Sequence, residues 1–276
     1  MHPNSETSEG ESLNNWEEFI ERTHKLNEFV FPDKQPINPS GFLFRGQGNS
    51  EWGLDTTLER WTPLRYKLHK YYRDILVSKS QIETLTGDRW EIEDGIQCEK
   101  WLKEWDGFFP LNFPGYGFLI YMRHHGFPSP LLDWSISPFV AAYFAFNQVS
   151  PKKVNKVSIY AFNDFPHIGK SGSSNESRIG VLGPYVRSHK RHFQQQSQYT
   201  ICTARDDQND HCYVPHETVF ERGRKNQDLK WKFNLPSTEK VKVLKYLDKH
   251  NINAYSLFGS EESLCETMAV RRYLFK

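Results

Sequence analysis

Leu131-Leu132-Asp133-Trp134-Ser135-Ile136-Ser137-Pro138-Phe139-Val140-Ala141-Ala142-Tyr143-Phe144-Ala145-Phe146 is the stretch on which the fold turns. Its first five residues read as a strand edge. Ser137 then offers an N-cap oxygen, and Pro138 has the backbone angle of a first helical turn. Alanines at 141, 142 and 145 give that helix a small side, which permits close packing against a sheet.

Upstream, Phe42-Leu43-Phe44-Arg45-Gly46 reads as a short buried strand that delivers Arg45 at its C-terminal end. Trp16, Phe19, Ile20, Thr23 and Leu26 recur at helical spacing, predicting an amphipathic helix over 15–29. Pro32, Pro36 and Pro39 mark a loop after it, and residues 1–14, polar and aperiodic, read as a disordered tail. The charged, Trp- and Tyr-rich stretch 58–106 predicts two helices broken near Gly87-Asp88. Downstream, Val157–Phe162 alternates as a strand, and 163–184 reads as a mobile Gly/Ser loop. Strands are expected at 198–203 and 231–235, with a polar loop over 204–226 between them. Ser237 is expected to cap a helix running to Lys249, and a last helix covers 261–270. The expectation is one α+β domain over 15–276 with a helical insertion at about 58–106.

Thirty-five basic and 34 acidic side chains leave a net charge of +1, which argues against a polycation that binds nucleic acid by wholesale counterion release. A local basic groove stays open. The 20 Phe, 13 Tyr and 8 Trp supply a large core from few residues. No run approaches the length of a membrane span, and the acidic N-terminus is unlike a secretory or transit signal, so a cytoplasmic protein is expected. Cys98, Cys202, Cys212 and Cys265 are scattered without a CxxC pair, which reads as reduced thiols rather than a zinc site.

Arg45-Gly46-Gln47-Gly48 places a cation beside glycines at a strand end. This is either a phosphate cradle or an ordinary strand-to-turn junction. His124, His125 and Asp133 are open to three readings: metal ligands, an acid–base pair, or a loop-holding carboxylate. Ser135 sits just ahead of a helix N-terminus, where a hydroxyl can hold a neighbour or meet a phosphate. Arg187-Ser188-His189-Lys190-Arg191-His192-Phe193 is either a nucleic-acid clasp or a solvated face. The signatures of P-loop, Rossmann and α/β-hydrolase enzymes are absent.

Phe44-Arg45-Gly46-Gln47, then His125-Gly126-Phe127-Pro128, then Leu131–Ser135 with its Ala/Phe helix, resembles the FRG domain, a mainly bacterial family named for its Phe-Arg-Gly motif. Arg191, Gln195 and Tyr199-Thr200 resemble a third block of that family, so the likeness runs from about residue 42 to Phe258. Three positions depart from the pattern: Ser129-Pro130 stands where the family has Thr-Arg, Ser197 where it has Gly, and Gly259 where it has Pro.

The layout also resembles, more distantly, ADP-ribosyltransferases of the Arg–Ser–Glu kind. That likeness implies a split-sheet core with NAD as substrate and a macromolecular acceptor, nucleic acid or protein, as for a toxin or an anti-phage protein. It assigns Arg45, Ser135 and Gln195 to catalysis, with Glu217 or Glu221 supplying the acid that Gln195 lacks. Arg45, Gly46, Gln47, His125, Asp133 and Ser135 would line the cofactor site, and Arg191 and His192 would meet the acceptor. The alternatives are a non-catalytic nucleotide- or nucleic-acid-binding module and a metal-dependent nuclease using His124, His125 and Asp133.

Overall fold

Nine strands share one sheet among the described residues, antiparallel throughout except where the first strand joins the last. The computed structural model describes residues 10–30, 41–62, 65–105, 114–164, 170, 172, 176–183, 190–224 and 227–276. The strands are β1 (Glu11–Ser12), β2 (Leu43–Gln47), β3 (Tyr66–Lys67), β4 (Leu131–Ser135), β5 (Lys156–Asn163), β6 (Arg178–Leu182), β7 (Ser197–Arg205), β8 (His211–Tyr213) and β9 (Leu229–Pro236). The helices are α1 (Trp16–Val30), α2 (Leu68–Thr86), α3 (Gly95–Glu104), α4 (Tyr116–His124), α5 (Pro138–Phe146), α6 (Lys190–Gln194), α7 (Glu217–Phe220), α8 (Lys240–Lys249), α9 (Ala254–Phe258) and α10 (Glu261–Ala269). The fold is therefore mixed α and β around an open, mostly antiparallel sheet.

The spatial order is β1-β9-β5-β2-β4-β7-β8-β3, with β6 also on β7. β2 and β5 pair over five residues, but β2 and β4 meet at a single register point, Phe44 opposite Ser135. The face of every strand side chain follows from register, because directly opposed residues share a face and successive ones alternate. One face carries two helical clusters: α1, α5 and α8 over Phe44, Ile159 and Phe233, and α2, α3 and α4 over Leu131, Tyr199 and Ile201. The opposite face carries Leu43, Leu132, Trp134, Tyr160 and Phe162 and is packed by Leu54 and by Val219 and Phe220 of α7. These are called the helical face and the loop face below.

The strand-to-helix reading around residue 137 holds: Ser137 Oγ accepts from the Val140 N–H at 3.3 Å, and Pro138 occupies the first turn. Both helices of the 58–106 stretch form, with Gly87 ending the first in the left-handed conformation and Asp94 capping the second. Four expectations change. Residues 10–14 do not belong to a tail, since Glu11–Ser12 pairs with β9 and Leu13 is buried. The Gly/Ser stretch contains β6, held by its five-residue pairing with β7. The polar segment after β7 contains β8 and the single-turn α7. Ser237 opens a short 3₁₀ turn before α8 and spends its hydroxyl on the Val154 carbonyl at 2.5 Å instead of capping. The proline loop at 32–39, residues 1–9 and Arg187–His189 lie outside the described residues. No helix among the described residues is long and apolar enough to cross a membrane.

Candidate functional site

Arg45 follows Phe44 on β2 and so points to the loop face, opposite Tyr160. Its Nη1–H donates to the Asp133 carbonyl at 2.8 Å across the gap where β2 leaves β4. Its buried Nε has no hydrogen-bond partner. Burial pulls the guanidinium down to about 10; Asp133 opposes that shift, while Arg123 and Arg60 add to it. At neutral pH it is still a cation, with a free donor directed into protein instead of water.

Tyr160 connects this cation to a carboxylate. Burial raises its phenol, the charge of Glu217 raises it further and Arg45 opposes both, so both charges lie within electrostatic reach of one ring. Glu217 opens α7 and accepts from Lys230 Nζ at 2.5 Å. Lys230 lies opposite Phe162 and Lys232 opposite Tyr160, so both lysines share the loop face. Lys232 Nζ sits 5.4 Å from the Tyr160 ring centre. Arg45, Tyr160, Glu217 and Lys230 thus form a polar cluster on one side of the sheet.

Ser135 and Gln195 go elsewhere. Ser135 is paired with Phe44 and faces the helices. Its hydroxyl donates to the Gln195 carbonyl at 2.8 Å and accepts from the Ser137 N–H at 3.0 Å. Gln195 Nε2 donates to the Leu257 carbonyl of α9 at 3.1 Å. The two residues form a latch joining β4, α5, α6 and α9, so the four residues expected to act together separate into two pairs on opposite faces.

Asp133 also lies on the helical face, gripped by both arms of the Arg123 fork from α4, with Arg123 Nη2 at 2.6 Å from Oδ2. Burial alone would push its carboxyl up; the charge and hydrogen bonds of Arg123 outweigh that and hold it below the usual range. Arg123 is the partner that the sequence reading missed. It lies ten positions from Asp133 on α4, and the fork shows only once α4 is placed beside β4. Asp133 therefore ties helix α4 to β4 through Arg123. His124 Nε2 is bonded to Tyr199 OH at 2.9 Å.

His125 stands exposed at the end of α4 with its ring 4.3 Å from Tyr121. His192 is buried, stacked 5.8 Å from Tyr199; Phe193 is exposed, and Arg191 is half-buried with its guanidinium 5.3 Å from the Phe258 ring. Gly46 and Gln47, expected beside a cofactor, both serve the fold. A Cβ at Gly46 would come within 1.9 Å of the Ala141 carbonyl oxygen, and Gln47 Nε2 donates to the Gly53 carbonyl at 2.6 Å. Among the described residues no group of three or more His, Cys, Asp or Glu side chains converges in a way that could hold a metal ion.

A mixed sheet with a buried arginine at a strand junction and a carboxylate on the same face defines a class: an α/β domain with a charged loop-face site. The FRG domain family model matches residues 40–154, so that stretch is similar to the FRG domain. The match takes in Arg45, Asp133, Ser135 and helix α5; Arg191, Gln195 and Glu217 lie beyond it. No curated protein and no solved structure matches the chain.

Proposed function

We propose that the loop-face cluster binds NAD and transfers its ADP-ribose to a macromolecular acceptor. The observation that carries this reading is a cation and a carboxylate on one face of the sheet: Arg45 stands opposite Tyr160, and Glu217 is held there by Lys230 of β9. Arg45 holds the pyrophosphate through its guanidinium charge. The single-pair junction of β2 and β4 gives the phosphates an approach between strands, as a split-sheet core requires. The glycosidic C1′–N bond to nicotinamide breaks, leaving a ribosyl oxocarbenium ion and free nicotinamide. Glu217 stabilises that cation and accepts the proton of the acceptor nucleophile as the new C1′ bond forms. Ser135 and Gln195 brace the fold behind the site.

The test is incubation of the full chain with adenylate-labelled NAD and a total cell extract, counting label in protein, DNA and RNA. Transfer is expected, lost in Arg45→Ala and reduced about 10²- to 10⁴-fold in Glu217→Gln. Undiminished transfer by a folded Arg45→Ala protein would end the proposal. Nucleotide binding without nicotinamide release would favour a second reading, a non-catalytic nucleotide-binding module. The ion pair that holds Glu217 to Lys230 speaks for that one.

A further inference from the structure

Trp52 is 55% exposed, although it belongs to the residue type with the largest apolar surface to hide. Its position is not loose. Three side chains from three strands hold the backbone around it: Gln47 on the Gly53 carbonyl at 2.6 Å, Tyr160 OH on the Trp52 carbonyl at 2.9 Å, and Lys232 Nζ on the Ser50 carbonyl at 2.8 Å. The Ser50 N–H adds a bond to the Lys156 carbonyl at 2.9 Å. The indole edge lies beside Gly48, whose added Cβ would stand 4.0 Å from it, in ordinary contact. Gly48 is three residues past Arg45, about 10 Å along extended chain. That is of the order of the reach of a nucleoside monophosphate from phosphate to base. Tyr160, which lies opposite Arg45, is the same residue that fixes the Trp52 carbonyl.

We infer that Trp52 is the base-stacking platform of the nucleotide site, receiving the aromatic base of a nucleotide whose phosphate is held by Arg45. This rests on the nucleotide reading of the loop face and adds the residue that recognises the base. A flat ring held in place before binding gives up little conformational freedom when a second ring stacks on it. Trp61 is still more exposed, at 78%, but lies past the strapped segment in the turn after Leu58, which makes it the internal control.

The experiment is calorimetric titration of the full chain with AMP, nicotinamide mononucleotide, ribose 5-phosphate and pyrophosphate. At least one base-bearing nucleotide is expected to bind about tenfold or more tightly than ribose 5-phosphate. Trp52→Ala should erase that margin while leaving ribose 5-phosphate and pyrophosphate unchanged. Trp52→Phe should keep most of the margin, Trp61→Ala all of it, and Arg45→Ala should weaken every ligand. Equal affinity with and without the base, a margin that survives Trp52→Ala, or no binding of either nucleotide each overturns the assignment. Trp52-dependent binding without nicotinamide release from NAD would remove the transferase reading and leave Trp52 in place. Transfer indifferent to Trp52 would do the reverse.

Discussion

Gly46 shows what one missing methyl group does. The Cβ of an alanine there would overlap the Ala141 carbonyl oxygen at 1.9 Å and crowd the Ala145 nitrogen at 2.7 Å, both main-chain atoms of α5 that no side-chain rotation can move aside. Gly46→Ala is therefore expected to cost about 3 kcal/mol or more, as overpacking against backbone does, visible as a marked drop in melting temperature. A variant that melts with the wild type would show that α5 can lift from β2. The glycine was legible in the sequence as a place of close approach, but not what approaches: the alanine side of α5 fills the space that a phosphate was expected to enter. Arg123 was illegible for a different reason. Nothing in the residues around position 123 announces a carboxylate partner until two elements are packed side by side.

The Ser135 latch belongs to the scale of elements. One hydroxyl joins the end of β4 to the start of α5 and to the turn after α6. Ser135→Ala removes two buried hydrogen bonds and leaves the Gln195 carbonyl short of a donor, so a loss of about 1–2 kcal/mol is expected. Because the latch lies on the helical face, NAD affinity should stay within about twofold. Chemical unfolding paired with NAD titration checks this, and a large affinity loss at unchanged stability would move Ser135 into the site. The elements that the sequence reading found are those with clean periodicity or clear caps: α1, β5, α5 and α10, the last with Ser260 and Ser263 in a capping box. Those it missed are short or fully buried. Helix α4 reads Tyr-Gly-Phe-Leu-Ile-Tyr-Met-Arg-His, apolar nearly all round because it lies inside the second helical cluster, so no polar face marks its period. β6, β8 and α7 are specified by their neighbours, not by their own few residues.

At the scale of the whole molecule, two buried groups pull stability in opposite directions with pH. Asp164 shares Lys170 with Asp228; burial first, and Asp228 next, raise its carboxyl from 3.8 to about 6 against the pull of Lys170. Between pH about 4 and 6 the native state keeps a proton that the unfolded chain has released, so this group makes stability fall as pH rises. His216 is hydrogen-bonded to Thr200 at 2.9 Å, and burial, aided by Arg45 and Lys170, lowers it from 6.5 to about 3. Below pH 6.5 the unfolded chain takes up a proton that the native state refuses, so this group makes stability rise with pH. The two slopes oppose each other over the same window. Thermal unfolding from pH 4 to 7 should show a shallow dependence in the wild type and a steeper acid loss in Asp164→Asn. His216→Gln should reverse the sign, and identical profiles in all three would refute the assignment of both groups.

Periodicity, caps and turn chemistry are local properties, written in a few consecutive residues. The sequence alone was therefore enough to set the mixed α and β class, the strand-to-helix step at Ser137 and a strand carrying Arg45, although β2 runs two residues past it to Gln47. Tertiary structure decided which residues share a face. Register fixes that, and register is set by partners far away in the chain. One step along β2, from Phe44 to Arg45, crosses the sheet from the helical side to the loop side. That step separates Ser135 and Gln195 from Arg45 and puts Arg45 on the side of the sheet that carries Tyr160 and α7.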